Sequence, residues 1–237
     1  MLTRLAAQAA GWPVLAFLLA CSSSSPELPE DRNILYMAVG ASDAVGIGAT
    51  PLSNGYVFKI RDELEKGWDV RLINLGVPAA RTGRIEDAVQ LALRSGADPD
   101  LVTIWVGAND LIDGVDPDEF QDQLDKLLDA LEDRTDAALF IADLPDLTQL
   151  PRFREDPSAN VTRDRIEDFN EAISEEAADH DATLVPLSQE EVEDRYVSDK
   201  DGFHPNDAGH RRIADLFLRE IRPRLAAASP PAPLAEG

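Results

Sequence analysis

The sequence predicts one three-layer α/β/α domain built around a central, mostly parallel, five-stranded sheet. Two observations predict it. Five short apolar runs alternate along the 237 residues with longer segments whose apolar residues recur every three or four positions. The short runs are typical of buried strands, and the longer segments of amphipathic helices. Strands and helices alternating in this way form right-handed crossovers and a parallel sheet covered on both faces.

The strands are predicted from near-continuous apolar runs that end in turn residues. They are Ile34–Val39, Val70–Leu75, Leu101–Val106, Ala137–Ala142 and Ala182–Pro186. The helices are predicted from their apolar spacing, and the last begins just after Pro205, a usual helix-start signal. They are Tyr56–Glu65, Thr82–Arg94, Pro117–Glu132, Arg163–His180 and Asn206–Ile221. We expect His180, at the end of a polar helix, to be solvated.

The first 20 residues are predicted to be a signal peptide, with Arg4 in its positive region and a mostly apolar stretch after it. That stretch is shorter than the ~20 residues that span a bilayer. Cys21, the only cysteine, follows a small residue and precedes four serines. The segment resembles the lipobox of bacterial lipoproteins, which implies that Cys21 is lipidated and that residues 21–32 form a flexible tether. The alternative is an ordinary secretion signal with an incidental cysteine.

The folded domain is expected to span residues 33–225, followed by a disordered tail over residues 226–237. The chain has 45 acidic and 22 basic residues, and a formal net charge of −23. This charge repels phosphate backbones and anionic lipid headgroups, so no nucleic-acid partner is expected and membrane association needs an anchor. A single cysteine excludes an internal disulfide and a multi-cysteine zinc site. No obligate protein partner is evident.

Polar residues and glycines follow the predicted strands at their carboxyl ends, where ligands bind in open α/β sheets. Ser42 follows the first strand and is expected to open a helix, while Gly76 and Asn109 follow the second and third. Asp201 and His204 lie in the loop before the last helix. Together they supply what acyl transfer by serine needs: a nucleophile, a base, a group that orients the base, and donors for the oxyanion.

The spacing of these residues supports that interpretation. Asp201 can hold one ring nitrogen of His204 and leave the other toward Ser42. The Gly76 N–H and the Asn109 amide could join the Ser42 N–H as oxyanion donors. Taken singly, Ser42 could be a helix cap, Gly76 a turn glycine and Asn109 an Asx turn. Their placement at one end of one sheet favours catalysis.

Four segments resemble the four blocks of the SGNH/GDSL hydrolases, in the same order and across essentially the whole domain. They are GASDAVG (40–46), NLG (74–76), GAND (107–110) and DGFHP (201–205). The resemblance implies a flavodoxin-like fold, Ser42 as nucleophile, His204 as base with Asp201 as its partner, and an oxyanion hole formed by Ser42, Gly76 and Asn109. No cofactor and no metal are expected. One position departs from the family, because Ala41 stands where an aspartate usually precedes the serine, and Asp43 follows it.

Other motifs are incomplete. A G-x-S-x-G nucleophile elbow fails at Ala44, and a dinucleotide-binding glycine fingerprint fails at Pro51. His204 and His210 lie six residues apart, a spacing that does not place two metal ligands on one helical face.

The expected function is that of an exported serine esterase, anchored in the cell envelope by lipid at Cys21. It would cleave carboxylic esters through an acyl-enzyme, and the resemblance implies substrates that range from short acyl esters and acetylated sugars to lysophospholipids and thioesters. The loop Leu144–Asp156 is the candidate for substrate selection, and the alternative is a surface loop of variable composition. The alternative is a non-catalytic envelope lipoprotein that binds a lipid or glycan in the same cleft.

Overall fold

The computed structural model describes residues 33–228. Five strands form one sheet in the order β2-β1-β3-β4-β5, and every neighbouring pair is parallel. The strands are β1 (Asn33–Gly40), β2 (Asp69–Gly76), β3 (Leu101–Trp105), β4 (Ala138–Ala142) and β5 (Thr183–Val185). The predicted α/β class and parallel sheet are confirmed. The predicted signal peptide, Cys21 with its tether up to residue 32, and residues 229–237 lie outside the described residues.

Eight α-helices occur within residues 33–228. They are α1 (Ser42–Val45), α2 (Tyr56–Leu64), α3 (Thr82–Arg94), α4 (Ala108–Ile112), α5 (Pro117–Glu132), α6 (Pro151–Glu155), α7 (Arg163–Asp179) and α8 (Asp207–Ala228). The helices α2, α3, α5 and α7 match the predicted ranges to within one residue, while α8 continues beyond its predicted end at Ile221. Helix α1 begins at Ser42 as expected. No helix in this part of the chain is both long enough and apolar enough to cross a membrane.

The sheet is covered on both faces, and the alternation of side chains along β1 shows how. Met37 and Val39 belong to the core that includes residues of α3, α5 and α7. Tyr36 and Ala38 belong to the opposite core, which includes residues of α2 and α8. Neighbouring side chains of a strand point to opposite faces, so one strand feeds both cores.

Three sequence predictions need correction. Strand β2 is half-buried rather than buried, because it lies at the sheet edge and pairs only with β1. Residues 226–228, predicted as tail, continue α8, in which Leu225 still packs in the core beyond Pro223. His180 is only 7% exposed, because α7 packs on α5 and encloses the ring that was expected to be solvated.

Candidate active site

Ser42 lies directly beyond the end of β1, as the first residue of α1, and is only 5% exposed. Helix α1 stops after one turn, since Gly46 has a φ of 92°, in the left-handed region that glycine adopts without strain. Close packing also needs glycine at position 48, where a Cβ atom would lie 2.1 Å from the carbonyl oxygen of Pro205. The segment after Ser42 is thereby held against the loop that carries His204.

Three predicted site residues are joined by hydrogen bonds. The Oγ atom of Ser42 lies 2.9 Å from Nε2 of His204. Nδ1 of the same ring lies 2.7 Å from Oδ2 of Asp201. With Asp201 accepting the proton on Nδ1, Nε2 carries the lone pair that faces the serine hydroxyl. The predicted spacing of Asp201 and His204 therefore produces the expected contact with Ser42, 162 residues away.

Asp201 is also held by the backbone of its own loop. Its Oδ1 atom accepts the N–H groups of Phe203 and His204 at 3.0 and 3.1 Å. Partial burial works to raise the pKa of Asp201, but the hydrogen bonds from the His204 ring and from the two backbone N–H groups outweigh it and lower the pKa below its usual value. Asp201 is therefore a carboxylate at neutral pH.

The candidate catalytic loop, residues 201–205, is held in place by backbone hydrogen bonds. The Ser198 N–H donates to the carbonyl of His204 at 2.8 Å, and the Gly202 N–H donates to Ser198 at 2.9 Å. The Arg152 N–H donates to the carbonyl of Gly202 at 3.0 Å. These bonds fix where the His204 ring projects without using its side-chain atoms.

The other two candidate oxyanion donors, Gly76 and Asn109, differ from each other in their hydrogen bonds. The Gly76 N–H donates to Oδ1 of Asn74 at 2.9 Å, and a Cβ atom on Gly76 would lie 2.9 Å from the Val45 nitrogen. Gly76 thus serves close packing of β2 under α1, and its N–H is already engaged. Asn109 is half-buried at the start of α4 and donates to the carbonyl of Ala80 at 2.8 Å.

Asn74 is a site-supporting residue that sequence reasoning did not single out. Its Nδ2 atom donates to the carbonyl of Ala44 at 2.7 Å, while its Oδ1 accepts from Gly76. The amide therefore ties the end of β2 to the helix that begins at Ser42. The only sequence signal is an asparagine two residues before a glycine at a strand end, which is too common to identify such a bridge.

Asp110, the last residue of the GAND segment, anchors the start of α3. Its buried carboxylate accepts the Thr82 N–H with both oxygens at 3.1 Å and the Thr82 hydroxyl at 3.0 Å. Because Thr82 is the first residue of α3, the carboxylate satisfies a backbone donor that has no partner within the helix. The last residues of the GAND segment thus combine an amide at the site with an anchor for α3.

Ala41 stands where an aspartate usually precedes the serine, and here the alanine is packed in a buried position. Ala41 is buried, and Asp43 is partly buried next to Ser42. Burial raises the pKa of the Asp43 carboxyl, an effect that the nearby His204 and His210 partly counteract.

His210 is fully buried: its Nδ1 accepts the Tyr56 N–H at 3.3 Å and its Nε2 donates to the Ile47 carbonyl at 3.0 Å. Both ring nitrogens of His210 are therefore used in holding α8 to α2 and to the segment after α1.

A small, mainly apolar cavity of about 110 Å³ lies beside the segments that carry Ser42 and His204. Its lining includes Asp43, which follows Ser42, and Phe203 and Pro205, which flank His204. The Phe203 ring meets the His204 ring edge-on, with 4.8 Å between centroids. The cavity therefore borders both the serine and the histidine segments.

The loop Leu144–Asp156 forms part of the same wall. Leu147 and Leu150 line the cavity. Phe153 packs edge-on against Phe203 with 6.0 Å between ring centroids, and the Arg152 guanidinium lies 5.4 Å from the centre of the Phe203 ring. The loop proposed from sequence for substrate selection is thus packed on the loop that carries His204.

A serine, a histidine and a carboxylate in hydrogen-bond contact at the carboxyl edge of a parallel sheet define the class of serine hydrolases. A family model described as GDSL-like Lipase/Acylhydrolase family matches residues 38–212. The chain belongs to this family.

Individual relatives agree with the family. A multidomain esterase of Ruminococcus flavefaciens is 29% identical over 136 residues, which cover 56% of this chain and only 17% of that protein. The crystal structure of TesA has a TM-score of 0.67 at 21% identity, covering 80% of this chain and 99% of that one. The psychrotrophic esterase EstA from Pseudoalteromonas sp. has a TM-score of 0.66 at 18% identity, covering 81% and 98%. These two structures share the fold of this chain.

Proposed function

We propose that the chain hydrolyses carboxylic esters through an acyl-enzyme formed on Ser42. The observation that carries this proposal is the continuous series of contacts from Ser42 through His204 to Asp201, at 2.9 and 2.7 Å. Both distances lie within the hydrogen-bond reach that a nucleophile and its base require. The non-catalytic alternative leaves this arrangement without a purpose.

In the proposed reaction, Nε2 of His204 takes the proton of the Ser42 hydroxyl while Oγ bonds to the ester carbonyl carbon. Asp201 stabilises the imidazolium that results. The bond to the leaving oxygen then breaks, and Nε2 returns the proton to the departing alcohol. A water molecule, deprotonated by the same nitrogen, attacks the acyl group and releases the acid, and the proton returns to Ser42.

Two groups are proposed to stabilise the oxyanion: the Ser42 N–H and the side-chain amide of Asn109. One N–H of the Asn109 amide is held by the Ala80 carbonyl, which orients the group and leaves the second N–H for the substrate. The Gly76 N–H, the third donor predicted from the sequence, donates to Asn74 in this structure and would have to release it to reach the substrate. Its role as an oxyanion donor stays a prediction.

Asn109→Ala is expected to lower kcat by about 10²–10³-fold with little change in KM, because the amide meets charge that develops only in the transition state. Steady-state kinetics on p-nitrophenyl acetate would measure both constants. Thermal unfolding of the variant checks that loss of the bond to Ala80 has not displaced the loop. A rise in KM at unchanged kcat would contradict this role.

For the substrate, we propose esters with a short acyl group. The cavity that borders the His204 segment has a volume of about 110 Å³ and a mainly apolar lining. A small apolar cavity of this kind suits a short acyl chain better than a fatty acyl chain. The apolar side chains of Leu147, Leu150 and Phe203 suit the methylene groups of that chain.

The expected result is a kcat/KM for p-nitrophenyl esters that peaks between acetate and butyrate and falls toward octanoate. Leu150→Ala should enlarge the cavity and raise the hexanoate-to-acetate ratio of kcat/KM about tenfold, at ~0.8 kcal/mol for each methylene newly buried. Leu91→Ala is the matched control, because Leu91 is 63% exposed on α3. A wild-type optimum at octanoate or longer, or an equal change in both variants, would exclude this cavity as the acyl site.

We further propose that the protein is exported and lipid-anchored at Cys21. The support is the sequence alone: an apolar leader, a small residue before the cysteine and a polar segment up to residue 32. Cys21→Ser is expected to move the protein from the membrane to the soluble fraction of an expressing bacterium, as measured by fractionation and immunoblotting. Retention of the variant on the membrane would rule out this anchor.

A further inference from the structure

A second cluster of titratable side chains lies at the opposite end of the strands from Ser42. His180 follows α7 and precedes β5, so it sits near the amino end of that strand, whereas Ser42 and Asn109 lie beyond carboxyl ends. Its ring is enclosed between α5 and α7. Nothing in the proposed esterase reaction uses this residue.

Carboxylates surround the ring of His180. Nε2 lies 3.1 Å from Oδ1 of Asp125 on α5 and 3.5 Å from Oε2 of Glu176 on α7. Asp129, one helical turn beyond Asp125, brings its carboxylate to the same place, since the ligand atoms of Asp125, Asp129 and His180 all lie within 4.8 Å of one another. Metals that bind nitrogen and oxygen at ~2.0–2.2 Å hold neighbouring ligand atoms about 3.0–3.5 Å apart. The separation between Nε2 of His180 and Oδ1 of Asp125 matches that spacing.

The other ring nitrogen is held in the manner of a metal-binding histidine. Nδ1 lies 3.0 Å from Oε2 of Glu132. A carboxylate on one nitrogen places the proton there and directs the lone pair of the other toward a metal. Glu176 is positioned in turn by Gln121, whose amide donates to its second oxygen at 2.9 Å.

The charge of the cluster favours a cation. Asp125, Asp129, Glu132 and Glu176 contribute four carboxylates around one imidazole. Within residues 33–228, no lysine or arginine forms an ion pair with any of them, and His180 is the only basic partner. Without a metal, the contacts of both ring nitrogens with carboxylate oxygens require a doubly protonated ring, and a dication would replace the Nε2 proton and offset more of the negative charge.

We propose that His180, Asp125 and Asp129 form a binding site for a divalent transition metal of the zinc type, with Glu176 adding negative charge beside the imidazole. The imidazole ligand favours zinc over magnesium and calcium, which prefer oxygen ligands alone. The metal would link α5 to α7 and stabilise the domain without entering the ester chemistry.

The test uses the purified chain without a histidine tag, freed of metal by chelation, and titrated with ZnCl₂ in a calorimeter. One Zn²⁺ per chain is expected, and at a hundredfold excess over Kd the Tm should rise by about 5–10 °C. MgCl₂ at the same concentration should leave the Tm unchanged. If neither a heat of zinc binding nor a Tm shift is observed, the cluster holds only a proton and the proposal is wrong. If MgCl₂ raises the Tm as much as ZnCl₂ does, the imidazole has no role in binding.

Substitutions in and near the cluster test whether zinc binds there. Asp129→Asn should weaken zinc binding at least tenfold and leave the metal-free Tm within about 2 °C, because Asp129 is exposed. His180→Gln should abolish binding, but it also removes buried contacts, so Asp129→Asn is the decisive variant. Glu167→Gln is the control, since Glu167 is exposed and nine residues from Glu176, on the opposite side of α7. Equal zinc affinity in wild type and Asp129→Asn would place the metal elsewhere and overturn the proposal.

Discussion

Ser42→Ala is expected to lower kcat for p-nitrophenyl acetate by about 10⁶-fold, to the rate that the remaining donors and binding contacts sustain. The variant loses the one atom, Oγ, that lies 2.9 Å from the His204 base. Its backbone N–H at the start of α1 and the surrounding packing are unchanged. Steady-state assay of the two proteins at equal concentration, with thermal unfolding alongside, measures the effect.

The matched control is Ser95→Ala. Ser95 is an exposed serine at the end of α3, where its hydroxyl donates to the Leu91 carbonyl at 2.7 Å. It should retain full activity. Residual activity of Ser42→Ala within a hundredfold of the wild type, after contaminating esterases have been excluded, would contradict a nucleophilic role for Ser42.

Asp201→Asn is expected to lower kcat about 10⁴-fold while leaving the loop in place. Oδ1 of Asp201 accepts two backbone N–H groups, and the carbonyl oxygen of an asparagine would keep those bonds. Its NH₂ group would then face Nδ1 of His204 and donate to it. The ring would carry its proton on Nε2, the tautomer that cannot accept the proton of Ser42.

Asp199→Asn tests whether the effect depends on that position rather than on loop charge. Asp199 is exposed in the same loop, two residues earlier, and its replacement should change kcat less than twofold. The measurement is kcat at neutral pH for wild type and both variants. An Asp201→Asn variant within tenfold of the wild type would show that the carboxylate does not set the tautomer of His204.

Long periodic segments made the fold predictable from sequence. The helices α3 and α5 occupy the predicted ranges, because each has enough turns for the apolar spacing to repeat. Helices α4 and α6, with five residues each, have too few turns for a periodic pattern. Helix α8 was predicted to end before Pro223, and only tertiary packing of Leu225 shows why it continues.

The candidate site was predictable where its parts lie close to strand ends. Ser42, Asp201 and His204 come together as their positions after predicted strands and before a predicted helix indicate. The engagement of the Gly76 N–H by Asn74 could not be predicted, since it depends on the orientation of one amide between a strand and a helix.

The burial of His180 was equally beyond the sequence. Its neighbour Asp125 lies 55 residues away on another helix, so the environment of the ring follows only from the packing of α7 on α5. A polar helix end that would be solvated on an isolated helix becomes a buried cluster when two such helices meet.

The most direct test of the account is the mass of the protein after reaction with a fluorophosphonate, followed by peptide mapping. A serine activated by His204 should gain one adduct per chain, located on Ser42, and both Ser42→Ala and His204→Ala should gain none. A wild-type protein that stays unmodified, or an adduct on another residue, would contradict Ser42 as the activated nucleophile and favour a cleft that only binds its ligand.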